Sequence, residues 1–111
     1  MRDRRRLRSL VVDDTTTYLW RVRHRHEPCR EILTLLRDGV RTRIVFRTGD
    51  GHYAGDGAYT HTGGVGDRHH HLNLHRPGVV RALVDEAVRR GLLPSTEDLD
   101  GWELFPAVTP D

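Results

Sequence analysis

Strict alternation of side chains decides the fold in residues 17–26, TYLWRVRHRH. Tyr18, Trp20 and Val22 point to one side, together with the two histidines of this stretch, and Leu19 points to the other with three arginines. Such alternation is typical of a β-strand with one face in the core and the other in solvent. We therefore expect the aromatic face to be buried and the arginines to be exposed.

Further strands are predicted on both sides of this stretch. Residues 7–13 are apolar and β-branched. Residues 29–37 fit either a strand or a helix, and we favour a strand, because the segment is short for a helix and the Asp38-Gly39 pair that follows is a strong hairpin turn. Residues 41–48 then alternate again, with Ile44 and Phe46 on one face.

The amphipathic pattern of residues 77–90 predicts a helix. Pro77 suits the first helical position and Gly91 suits the C-terminal cap. Two acidic residues precede basic ones by four positions, which predicts two ion pairs on the exposed side, Asp85 with Arg89 and Glu86 with Arg90.

The remaining segments are less regular. Residues 49–68 are rich in glycine and predict a long loop, although a short irregular pairing near His52 also fits. Residues 69–75 alternate as a strand does. Residues 101–105 predict a last strand, with Trp102 and Leu104 on one side.

These elements predict an α+β fold in a single domain. We expect a mainly antiparallel sheet of about five to six strands, with one amphipathic helix of the C-terminal half packed on one face. Residues 1–6 are assigned to a basic flexible tail, 7–106 to the domain and 107–111 to a C-terminal tail.

Lysine is absent, whereas arginine occurs 18 times, and this absence excludes several catalytic classes. Without lysine there is no Walker-type phosphate-binding residue, no Schiff base and no Ser–Lys dyad. The only serines, Ser9 and Ser95, lie outside any G-x-S-x-G motif. We therefore favour a protein that is not an enzyme, and we expect no cofactor.

Length and cysteine content indicate the class of protein. No apolar run approaches the ~20 residues of a membrane helix, so no membrane partner is expected. The single cysteine, Cys29, agrees with a reducing compartment, and we expect a cytoplasmic location. A homodimer through an exposed sheet edge remains open.

Charge is segregated along the chain. Residues 1–30 carry a net charge of +5 and residues 31–111 a net charge of −3, and the last twenty residues contain five acids and no arginine. If the two alternating strands share a sheet, their arginines form one exposed surface. The predicted surface contains Arg21, Arg23, Arg25, Arg41, Arg43 and Arg47.

Two kinds of partner fit such a surface. The leading hypothesis is a binding module for an acidic protein, with the acidic C-terminal region as an intramolecular competitor. The alternative is sequence-nonspecific binding of nucleic acid through phosphate contacts by this surface and the N-terminal tail. A plain solvated face, balanced by Glu31, Asp38 and the acidic C-terminus, is the third interpretation.

Eight histidines raise a separate hypothesis of metal binding. Alternate residues of a strand project together, so two histidine pairs could each reach one ion. Neither a C-x-x-C nor an H-E-x-x-H motif accompanies them. The candidate ligands are His24, His26, His69 and His71.

Four stretches carry a resemblance to other proteins: YLWRV at 18–22, LNL at 72–74, PGVVRAL at 77–83 and GWELF at 101–105. Together they resemble small, uncharacterised proteins of high-GC bacteria of the actinobacterial type. The resemblance spans most of the chain and supports the fold, and it implies no activity.

Overall fold

Four antiparallel strands, joined at one edge by a short fifth strand, form the main sheet of the described residues. The computed structural model describes residues 7–25, 29–54 and 63–109, so the predicted tail at 1–6 lies outside the described residues. The strands are β1 (Arg8–Asp13), β2 (Thr16–Arg25), β3 (Arg30–Arg37) and β4 (Val40–Arg47), and each pairs with the next. The interpretation of residues 29–37 as a strand is confirmed.

The turn between β3 and β4 has the geometry that its sequence predicts. Asp38 and Gly39 both have positive φ, 53° and 79°. A two-residue turn with both central residues in this region matches the right-handed twist of a hairpin. The predicted hairpin at Asp38-Gly39 is therefore confirmed.

The glycine-rich segment contributes part of a second, smaller sheet. In it β5 (Tyr53–Ala54) pairs with β6 (Gly64–Gly66), which pairs with β7 (His71–Asn73), all antiparallel. The strand predicted over 69–75 is shorter than expected, because side chains form turns at both of its ends. Asp67 accepts the backbone N–H groups of His69 and His70, and Asn73 accepts that of His75.

The predicted helix is confirmed as α1 (Pro77–Arg89). Gly91 has φ 75° and ends it, with the N–H of Gly91 bonded to the carbonyl of Val88 and that of Leu92 to Ala87. Of the two predicted ion pairs, Glu86 with Arg90 forms. The pair of Asp85 with Arg89 is wrong, because Asp85 is held by Arg81 one turn earlier, and Arg89 joins Glu86 instead.

The last predicted strand, residues 101–105, is wrong. A short strand, β8 (Leu99–Asp100), pairs in parallel with β4, and a second helix, α2 (Gly101–Val108), follows at once. The Asp100 side chain accepts the N–H of Trp102 at 2.9 Å and caps this helix. Leu104 and Phe105 are adjacent and both buried, which a strand with one buried face does not allow.

One face of the sheet meets both helices and holds the core. Trp20, Leu33 and Phe46 of the sheet pack in one cluster with the apolar sides of α1 and α2 and with Ala54 and Val65 of the small sheet. The α+β fold in a single domain is confirmed, and the described residues form two helices rather than one. Within the described residues, neither helix is long and apolar enough to cross a membrane.

Candidate functional site

Seven arginines project from the face of the sheet opposite the helices. In the strand register Arg21 lies opposite Thr34, and Thr34 lies opposite Arg43. Since directly paired residues lie on the same side of an antiparallel sheet, the register assigns one whole set of side chains to this surface. We call it the arginine face, and it contains Arg21, Arg23, Arg25, Arg30, Arg41, Arg43 and Arg47.

The structure thus brings together the six arginines named from the sequence and adds one. Arg30 pairs directly with Arg25 and with Arg47, one on each side. The sequence does not reveal it, because the pattern of residues 29–37 does not settle which side chains share a face. Glu31, which the solvated interpretation counts as a balancing charge, lies on the opposite face of β3, where it is fully buried.

No position of this face on β2, β3 or β4 carries a carboxylate. An acid does reach it from the segment before β8. Arg43 donates from Nε and Nη2 to the two oxygens of Asp98, both at 2.9 Å, and this bond raises the pKa of Arg43. Asp98 belongs to the acidic C-terminal region, which therefore already occupies one arginine of the face.

Four other arginines of this face have guanidinium groups that bind no side chain among the described residues. No side-chain hydrogen bond or ion pair joins Arg21, Arg25, Arg41 or Arg47 to the described part of the chain. The Nε atom of Arg21 is buried and has no acceptor there. A buried N–H without an acceptor is costly, so an acidic group that reached Arg21 would remove that cost.

The arginines surround a strip of buried uncharged side chains. Ile32 and Val45 are directly paired in the register, and Arg23 lies next to Ile32 on β2. Ile32, Val45 and the neighbouring Thr34 are 5%, 2% and 3% exposed, yet neither Ile32 nor Val45 belongs to the main core cluster. The methylene stems of arginines commonly cover such apolar surface while their charged heads stay in water.

The end of this face next to β1 is apolar. Leu19 is paired with Leu36 on β3, and Leu19 and Val11 are 40% and 64% exposed. Among the described strands β1 pairs only with β2, so it forms an edge of this sheet. The surface therefore combines a basic region with an exposed apolar region beside an open edge.

Two of the four histidines named as metal ligands form side-chain hydrogen bonds within the protein, and the ring of His69 lies 6.4 Å from that of His70. His24 Nδ1 is bonded to Glu31 Oε2, and His71 Nδ1 is bonded to the hydroxyl of Tyr53 at 2.8 Å. His26 lies outside the described residues. Among the residues that the structure describes, no three His, Cys, Asp or Glu side chains are grouped so that they could hold a metal ion.

Part of the glycine-rich segment is fixed against the main sheet. The ring of His52 stacks on Trp102, with centroids 4.0 Å apart. The indole Nε1 of Trp102 donates to the carbonyl of Arg47 at 2.8 Å. These contacts join α2, the end of β4 and the segment before β5 at one end of the sheet.

A cleft of about 290 Å³ opens on the helix side, at the end of the sheet where both hairpins turn. Its walls are the β1–β2 hairpin, the β3–β4 hairpin, α1 and the segment at Leu93 and Pro94. Sequence reasoning misses it, because Asp13 and Asp38 indicate turns and nothing local shows that two turns and a helix enclose a space.

Comparison of the chain with protein-family models, with curated proteins and with solved structures finds no match. The assignment of a function to this fold therefore depends on the chemistry of its own surfaces.

Proposed function

We propose that this protein is a non-enzymatic binding module whose arginine face docks an acidic protein segment. The observation that carries the proposal is the segregation of seven arginines, with no carboxylate of β2, β3 or β4 on the same face. Fields of one sign attract partners of the other sign and orient them before contact. Guanidinium groups also bind carboxylates through paired hydrogen bonds, as Arg43 does with Asp98.

The composition of this face favours a protein partner over nucleic acid. Surfaces that bind single strands without sequence preference use aromatic side chains to stack bases. The positions of β2, β3 and β4 on the arginine face hold no aromatic residue, and Tyr18 and Trp20 lie on the core side. The exposed Leu19 and Val11 instead suit a segment that has apolar residues beside its acids.

This function needs no cofactor and no membrane, and we place it in the cytoplasm on the basis of the single cysteine. A charged docking face of this kind governs association rate and selectivity more than total affinity. We therefore expect a partner whose binding weakens as salt rises.

The test is a binding titration with defined probes. A fluorescent peptide of alternating Glu and Leu is titrated against the wild type and against an Arg41→Glu/Arg47→Glu variant. Both arginines are exposed and without an ion pair to the described residues, so the substitutions leave the core unchanged. Binding is expected to fall by roughly tenfold or more, since the removal of a hydrogen bond to a charged group costs about 1.5 to 3 kcal/mol.

The matched control is Arg68→Glu/Arg76→Glu, which changes the net charge by the same amount at two positions off the arginine face. Equal losses of affinity in the two variants would mean that the peptide responds only to net charge, and the proposal would be wrong. A single-stranded oligonucleotide of equal charge is the third arm. If it binds more tightly than the peptide and loses affinity steeply with salt, nucleic acid is the partner class and the protein proposal is overturned.

A further inference from the structure

The cleft at the hairpin end has a largely apolar floor that also contains the hydroxyls of Tyr18 and Thr42, and Thr42 donates its own to the carbonyl of Ser95. Leu35 and Val84 of the floor are 1% and 0% exposed, and Tyr18 is 7% exposed. The hydroxyl of Tyr18 forms no hydrogen bond with the described part of the chain. The hydroxyl is not one of the fully buried unpaired atoms, so it opens onto the cleft, where a polar group of a ligand can bond to it in place of water.

Carboxylates dominate the rim of the cleft. Of the described residues, three aspartates and one arginine line it: Asp13, Asp38, Asp85 and Arg37. Asp13 accepts the N–H and the hydroxyl of Thr15, and the bond from the N–H is the main reason that its pKa lies below the ordinary value. Asp13 is therefore ionised at neutral pH.

The basic groups near the rim are already engaged. The Nε atom of Arg37 lies 3.7 Å from the Oδ2 atom of Asp38. The central carbon of its guanidinium is 5.8 Å from the centre of the Tyr18 ring. Arg81 binds both oxygens of Asp85 from outside the cleft. With Arg81 counted beside Asp85, the three aspartates exceed the two arginines by one charge, so the mouth favours a positive charge over a negative one.

We propose that this cleft is a second binding site, separate from the arginine face, for a small primary amine with an apolar body. The apolar body lies on Leu35 and Val84, and the ammonium group lies at the rim between the aspartates and the Tyr18 oxygen. A volume of about 290 Å³ lies just below the range for small-molecule sites, roughly 300 to 1,000 Å³, so the body is no larger than one ring or a short alkyl chain.

Three probes of nearly equal shape test the proposal: phenethylamine, 2-phenylethanol and 3-phenylpropanoate. Binding is followed by chemical-shift changes of the backbone amides of the two hairpins and by thermal shift. We expect the amine to bind with a Kd of about millimolar and at least ~10-fold more tightly than the alcohol, because charge-assisted hydrogen bonds are about twice as strong as neutral ones. We expect the propanoate not to bind.

A pair of matched variants separates the rim from general electrostatics. Asp38 and Asp50 both have positive φ, 53° and 52°, at turn positions, and asparagine tolerates that conformation. Asp38→Asn is expected to weaken phenethylamine binding several-fold, whereas Asp50→Asn, outside the cleft, leaves it unchanged. Tyr18→Phe keeps the ring and removes only the hydroxyl, and it should also weaken the binding of phenethylamine.

Each other result overturns the proposal. Equal affinity for the amine and the alcohol would show that the cleft binds the apolar body and does not select a cation. Tighter binding of the propanoate than of the amine would show that the cleft prefers an anion to a cation. Equal effects of Asp38→Asn and Asp50→Asn would show that the amine senses net charge alone, and no binding of any probe would remove the site.

Discussion

His24 and Glu31 face each other across β2 and β3, and the Nδ1 atom of His24 lies 2.5 Å from the Oε2 atom of Glu31. The pair is on the core side of the sheet, where the Glu31 side chain is fully buried and that of His24 is 9% exposed. Burial is the main cause that raises the pKa of Glu31, and the hydrogen bond from His24 and the N–H of Gly63 lower it in part. The core thus contains a carboxyl group that is harder to ionise than it is in water.

The first prediction concerns the pH dependence of stability. Folding raises the pKa of Glu31. The stability that this carboxyl group contributes is therefore fully present below its unfolded pKa near 4.5, and it is lost as the pH rises through the folded pKa. Gln at this position does not titrate and can still bond to His24. The free energy of unfolding of Glu31→Gln, relative to the wild type, should therefore increase from pH 4 to pH 7.

Urea denaturation at four pH values across that range measures this difference. The control is Glu97→Gln, which removes the same charge from an exposed side chain. If the difference in the free energy of unfolding between Glu31→Gln and the wild type is constant with pH, or shrinks as the pH rises, the pKa of Glu31 is not raised by folding.

The second prediction concerns Glu86, whose pKa is lowered in the folded protein, whereas that of Glu31 is raised. Hydrogen bonds from Arg89 and Arg90, at 2.5 and 2.6 Å, lower the pKa of Glu86 to about 2. Its contribution to stability is present above its ordinary value of 4.5 and is lost as the pH falls toward 2. A carboxyl carbon-13 titration should give this low value in the wild type and a higher one in Arg89→Ala. An unchanged midpoint in Arg89→Ala would refute the role of that bond.

The third prediction compares two glycines at the starts of helices. A methyl group on Gly101 would lie 2.5 Å from the ring of Phe46, which is fully buried, whereas nothing lies within 4 Å of such a group on Gly78. Overpacking of this kind costs about 1 to 3 kcal/mol. Replacing an unhindered glycine by alanine stabilises by about 0.4 to 1 kcal/mol.

Thermal and urea unfolding of Gly101→Ala and Gly78→Ala should therefore shift in opposite directions. Equal shifts of the same sign would mean that α2 does not approach β4 closely enough for Phe46 to exclude a methyl group.

Local patterns explain which parts of the fold could be predicted. The alternation around Trp20, the Asp38-Gly39 turn and the stripe of α1 each depend on neighbours in sequence, and all three are confirmed. Six of the seven residues of the arginine face follow from the same alternation, whereas Arg30 is placed there only by the register of β3. For residues 101–105, the alternation of Trp102 and Leu104 predicts a strand, but the capping side chain of Asp100 starts a helix instead.

Features that depend on neighbours in space could not be predicted in this way. Glu31 is buried because it shares the core side of β3 with Leu33 and Leu35, and no spacing along the chain reveals that His24 lies opposite it in the register. The strand predicted at 69–75 is longer than the observed β7. The side chains of Asp67 and Asn73 bind backbone N–H groups and so compete with the hydrogen bonds between strands. The cleft depends on the arrangement of two hairpins and a helix, which is known only after folding.

The last prediction joins the arginine face to the acidic C-terminal region. Asp98 holds Arg43 by two hydrogen bonds, yet both side chains are more than a third exposed, at 37% and 48%. Exposed pairs of this kind contribute about 0 to 1 kcal/mol, because water and salt screen them. Asp98→Asn should therefore change the stability little. It should also release Arg43, so that the acidic peptide binds several-fold more tightly than to the wild type. Asp50→Asn removes the same charge elsewhere, and if it strengthens peptide binding equally, Asp98 is not a competitor for this face but only part of the overall charge.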